Sequence, residues 1–76
     1  MLIWFLNIAI GSGALYSNST ANNNIAIGRN TLTTSNGNYN TAIGNAALRQ
    51  NATGSNNTAV GFESLRNVTG SGNIAI

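Results

Sequence analysis

Short apolar triplets alternate with longer polar stretches along most of this chain, in a nearly fixed rhythm. Each triplet is opened by asparagine and closed by glycine: Asn7-Ile8-Ala9-Ile10-Gly11, Asn24-Ile25-Ala26-Ile27-Gly28, Asn40-Thr41-Ala42-Ile43-Gly44 and Asn57-Thr58-Ala59-Val60-Gly61, with a further start at Asn73-Ile74-Ala75-Ile76. Four residues after each glycine stands a leucine (Leu15, Leu32, Leu48, Leu65), and a small residue precedes it (Ala14, Thr31, Ala47, Ser64). The steps between successive asparagines are 17, 16, 17 and 16 residues. Self-similarity at a fixed period means one supersecondary unit stacked on itself. This period is too short for a helix pair and suits one turn of β-structure. The pattern predicts an all-β fold: a parallel β-solenoid or β-roll of about four and a half 16–17-residue coils, completed by oligomerisation. Residues 1–6 form an apolar N-terminal segment, and residues 7–76 form the array, divided as 7–23, 24–39, 40–56, 57–72 and a partial 73–76.

Alternate side chains of a strand share a face, so each triplet presents two β-branched residues on one side and alanine on the other. β-Branched side chains suit a packed pleated surface, which places Ile8, Ile10 and their counterparts in a core. The constant alanine (Ala9, Ala26, Ala42, Ala59, Ala75) implies a second surface in close approach, either the other wall of the coil or another subunit. The glycine after each triplet is expected to adopt positive φ or to bend the chain out of the strand. The leucine beyond it returns to the core on a second short apolar segment. The remaining Asn, Gly, Ser and Thr residues are turn formers, and the one-residue difference in period belongs there. Stacked repeats bring Asn7, Asn24, Asn40, Asn57 and Asn73 to about 4.8 Å apart, where their amides can form an axial ladder.

Composition removes most chemistry. The chain has no Cys, His, Lys, Asp or Pro, and its charged side chains are Arg29, Arg49, Arg66 and Glu63. Without histidine or a second carboxylate there is no triad, no paired-carboxylate glycosidase and no obvious metal site, so the expected reading is no enzyme and no cofactor. Gly11-Ser12-Gly13 lacks the lysine and the strand–loop–helix setting of a phosphate loop. A net charge of +2 without a basic cluster does not point to nucleic acid. Met1, Leu2, Ile3, Trp4, Phe5 and Leu6 are about a third of the length that spans a bilayer, and they lack the basic start and cleavage site of a signal peptide. If the protein is exported, either a signal has been removed or the sequence is part of a longer product; the stop within a repeat favours the latter.

The residues Asn40-Thr41-Ala42-Ile43-Gly44, with Ala47-Leu48 and then Asn51, Thr53-Gly54 and Asn57, resemble a known repeat type. It resembles the repeats of phage tail-fibre-like and bacterial surface proteins, many of which end in an intramolecular chaperone of the endosialidase type. More distantly it is similar to the Ala-Ile-Gly repeats in the head of trimeric autotransporter adhesins, a left-handed parallel β-roll built as a trimer. The likeness covers nearly everything from Asn7 to Ile76. This sequence departs in its longer coil and in the lack of a stalk, anchor or chaperone segment within it.

Apolar ends and a small core per repeat argue against a lone chain. The expected partner is the chain itself, as a homotrimer or a head-to-tail homopolymer, with Met1–Leu6 and the last strand (Ile74, Ile76) as assembly contacts; the alternative is that Met1–Leu6 caps its own coil. The leading expectation is a structural subunit or shaft segment of an extracellular filament, a cell-surface appendage or virion fibre, with no membrane span. The second is an adhesin or tail-fibre module that binds surface glycans through Tyr16, Arg49 and Arg66, which share a repeat position with Thr33 beside the leucine. Its plain counterpart is a solvated ridge in which Glu63 offsets Arg66. A minor third is ice binding, for which Thr41 and Thr58 would have to continue into a regular column. Asn18, Asn51, Asn56 and Asn67 each open an N-glycosylation sequon in an expected outer turn.

Overall fold

In a computed structural model the described residues are 2–4, 6–15, 22–33, 37–50, 54–66 and 70–76. They are all sheet and turn, with no helix among them. One six-stranded sheet runs in chain order: β1 (Leu2–Trp4), β2 (Asn7–Ile10), β3 (Ile25–Ile27), β4 (Thr41–Ile43), β5 (Thr58–Val60) and β6 (Ile74–Ala75). The strands β2 to β6 are parallel and stacked in register, so Ile8, Ile25, Thr41, Thr58 and Ile74 form one column and Ala9, Ala26, Ala42, Ala59 and Ala75 another. Each parallel strand and its following turn is one rung. An all-β parallel solenoid or roll is consistent with this arrangement.

The β1 strand pairs antiparallel with β2, matching Leu2 with Ala9 and Trp4 with Asn7. It therefore covers the outer edge of the first rung of its own chain. A joint to another chain at that end would use the far edge of β1, not β2.

The inside and outside of the sheet are the reverse of what β-propensity suggests. The core is the alanine face: Ala26, Ala42 and Ala59 are fully buried, together with Leu32, Leu48 and Ala47. The β-branched face points away from that core, with Ile8, Ile10 and Ile43 each about two-fifths exposed. The reason is width. The chain turns back directly after each glycine, and the returning leucine fills most of the narrow interior. Only a methyl group fits opposite it, so of the two surfaces expected to approach the alanines, it is the other wall that does so.

A reciprocal pair of variants reads out this inversion. In dilute protein, Ala42→Val is expected to cost about 1–3 kcal/mol by overpacking, whereas Ile43→Thr costs about 0.5 kcal/mol or less. Urea unfolding of both checks it; a larger loss for Ile43→Thr would mean that the faces are assigned the wrong way round.

Tight backbone geometry makes the return possible. After each strand, Gly11, Gly28, Gly44 and Gly61 take φ of 122 to 127°. The leucines Leu15, Leu32, Leu48 and Leu65 also sit in the left-handed region, at φ of 47 to 53°. A leucine there is strained by about 1–2 kcal/mol. Burial offsets that strain, as do inter-rung bonds from Leu15 N–H to Thr31 O, Leu32 N–H to Ala47 O and Leu48 N–H to Ser64 O, at 2.9–3.1 Å. The second apolar segment expected from sequence is therefore a turn, which in the first three rungs buries the leucine and the small residue before it.

Candidate assembly surface

Two columns of side chains, one buried and one at the surface, fix the rungs relative to each other. Asn7, Asn24, Asn40 and Asn57 are at most 1 % exposed. The Oδ1 atoms of Asn7, Asn24, Asn40 and Asn57 accept the backbone N–H of the next asparagine, Asn24, Asn40, Asn57 and Asn73, at 2.8–3.0 Å. The amide Nδ2 groups of Asn24, Asn40 and Asn57 donate to the carbonyls of Gly37, Gly54 and Gly70, each at 2.9 Å. Each acceptor glycine lies three residues before the next asparagine, so both ends of one amide grip the rung above. A direct amide-to-amide bond occurs at the last rung, where Asn73 Nδ2 donates to Asn57 Oδ1 at 3.1 Å. The axial ladder thus runs chiefly from side chain to backbone.

A second column was not singled out from sequence. Asn22 N–H donates to Asn38 Oδ1 (2.8 Å), Asn38 N–H to Ser55 Oγ (3.0 Å) and Ser55 N–H to Ser71 Oγ (2.9 Å). Its polarity is opposite: here the upper rung supplies the acceptor. The signal was an Asn or Ser two residues before each ladder asparagine from Asn24 on. With both columns holding the corner, the triplets are held in one register.

That face carries Ile8, Ile25, Thr41, Thr58 and Ile74 in one column and Ile10, Ile27, Ile43 and Val60 in the next. Ile74 is 74 % exposed and Ile76, which extends the second column in sequence, is 95 % exposed. No charged residue stands on either column. The described residues enclose no pocket.

The other candidate residues are placed differently. Leu6 is exposed at the bend between β1 and β2, while Met1 and Phe5 lie outside the described residues. Tyr16 also lies outside them. Arg49 is half-buried, and the exposed Arg66 guanidinium is held by Glu63 in its own corner, Nη1 to Oε2 at 2.6 Å. Solvent-exposed pairs contribute about 0–1 kcal/mol, so Arg66→Ala is expected to shift the thermal midpoint by no more than about 8 °C, a value that differential scanning calorimetry reads. A larger shift would show that the corner depends on the pair. Of the sequon asparagines, Asn18, Asn51 and Asn67 lie outside the described residues. Asn56 is exposed at φ 59°, directly before the buried Asn57. Thr41 and Thr58 are neighbours in their column, with isoleucine on either side. No helix among the described residues is long and apolar enough to cross a membrane. Comparison with protein-family models, curated proteins and solved structures finds no significant match.

Proposed function

We propose that this chain is a non-enzymatic structural protein that assembles with copies of itself, as a segment of the shaft of an extracellular filament, a cell-surface appendage or virion fibre. The observation that carries the reading is the outward β-branched face. A solvated β-face ordinarily alternates its apolar core side with a polar outer side. Here the outer side has the larger apolar residues and the core side the smaller ones. Covering Ile8, Ile10, Ile25, Ile27, Ile43 and Val60 would add apolar burial to what the alanine column supplies. A trimer around a common axis and a lateral pair both cover it.

Sedimentation velocity from micromolar to millimolar protein tests this. The unmodified chain is expected to form oligomers. The double variant Ile27→Asp, Ile43→Asp, which would bury two uncompensated carboxylates at such a joint, is expected to associate at least about a hundredfold more weakly. Circular dichroism should show the variant's sheet retained. A chain that stays monomeric throughout, or a variant that assembles as well as the parent, would sink the proposal.

A further inference from the structure

We infer that Thr41 and Thr58 set the register and direction in which copies of the chain meet across the β-branched face; the inference rests on the self-association proposed above. They are the two polar side chains in an otherwise aliphatic pair of columns, and they occupy consecutive rungs. Both are half-buried, and among the described residues neither hydroxyl makes a hydrogen bond. Other threonines in the chain do: Thr31 Oγ1 donates to Gly28 O at 2.9 Å and Thr33 Oγ1 to Gly13 O at 3.3 Å. Two hydroxyls therefore point out of an uncharged face with their donors unused.

A partner that covers this face must be apolar and must offer a hydrogen-bonding group at each of those two heights. A buried hydroxyl without a partner is costly, and one opposite another hydroxyl is satisfied, because each can donate and accept. A second copy of the chain meets that requirement by itself. Read from β2 to β6, the column is Ile, Ile, Thr, Thr, Ile. Parallel copies in register that meet along the threonine column match every rung of that column like to like. A slip of one rung sets two threonines against isoleucine, as does an antiparallel arrangement with the ends aligned. An antiparallel arrangement shifted to pair Thr41 with Thr58 restores the match but leaves one rung uncovered. The parallel, in-register joint satisfies both hydroxyls and buries all five rungs. The pair acts as a polar key in an apolar seam, as single polar residues do in helical coiled coils.

The chain has no cysteine, so the register is readable by oxidative cross-linking of introduced ones. Chains carrying Ile8→Cys and chains carrying Ile25→Cys, both in the threonine column, are mixed, oxidised and sorted by mass into pairs at like and unlike positions. The expected result is a preference for like pairs of about tenfold, the ratio that roughly one satisfied hydroxyl supplies. Adding Thr41→Val and Thr58→Val to both chains should leave assembly at least as strong and bring the ratio to about one. Thr41→Ser and Thr58→Ser, which keep the hydroxyls, should retain the preference. An unchanged ratio in the valine chains, or a preference for unlike pairs in the parent, overturns the inference while leaving self-association standing. A parent that stays monomeric by sedimentation removes the proposed function itself.

Discussion

Gly44→Ala is expected to be among the most damaging single substitutions in this chain, lowering the thermal midpoint by at least about 15 °C or abolishing cooperative unfolding. Two effects add. At φ 122° an L-residue is strained, which costs about 1–3 kcal/mol. The new Cβ would also lie 2.7 Å from the carbonyl carbon and oxygen of Gly61 and 3.1 Å from its Cα. These are backbone atoms of the next rung, so no side chain can turn aside, and overpacking adds about 1–3 kcal/mol or more. A domain of this size has roughly 4–11 kcal/mol of stability in all. The control is Gly61→Ala, at φ 124° but with nothing within 4 Å of the added carbon. It carries the strain without the clash, so thermal melts of the two variants should differ by the cost of the clash. Equal midpoints would mean that the rungs do not stack as closely as described.

Asn24→Leu should rank with it, at roughly 3–5 kcal/mol. The asparagine is fully buried, and its loss removes the acceptor of Asn40 N–H and the donor to Gly37 O together, at 2.8 and 2.9 Å. Asn24→Asp separates the two roles. Its carboxylate still accepts from Asn40 but faces the Gly37 carbonyl without a proton to give. Burial and that carbonyl raise the folded-state pKa above the unfolded value of about 3.9. With the folded pKa raised, stability is greatest below the unfolded pKa and is lost as pH rises through the folded one. Acid should therefore rescue the aspartate variant relative to the leucine variant, and urea titrations of both across the acidic range give the answer. A gap that does not change with pH would show that the donor bond to Gly37 contributes little.

These positions also show which parts of the fold were legible in the sequence. The glycines and the ladder asparagines stood out because each serves a backbone geometry that few residue types can meet. Leu15, Leu32, Leu48 and Leu65 did not reveal their turn conformation, since leucine has no preference for positive φ. The orientation of the sheet was misread because hydrophobicity ranks isoleucine above alanine, while the width of the interior decides which of them fits. A hint was available: Thr41 and Thr58 replace isoleucine in one column, whereas alanine never varies in the other. The N-terminal segment was ambiguous for a different reason. A two-residue link between β1 and β2 with Leu6 at φ 63° has none of the glycine or asparagine that announces a tight hairpin. The pairing of Arg66 with Glu63 three residues away was legible from spacing, and it ties that exposed arginine to its own corner.

Copies of the chain are proposed to meet through the β-branched face while alanine and leucine stay inside each chain. Isotope-filtered nuclear Overhauser spectroscopy on a mixture of labelled and unlabelled chains tests it most directly. The prediction is intermolecular contacts from the methyls of Ile8, Ile10, Ile25, Ile27, Ile43 and Val60, with Ala26, Ala42, Leu32 and Leu48 showing contacts within their own chain alone. Intermolecular contacts confined to the alanines and leucines, or to the N-terminal segment with none from the face, would contradict it.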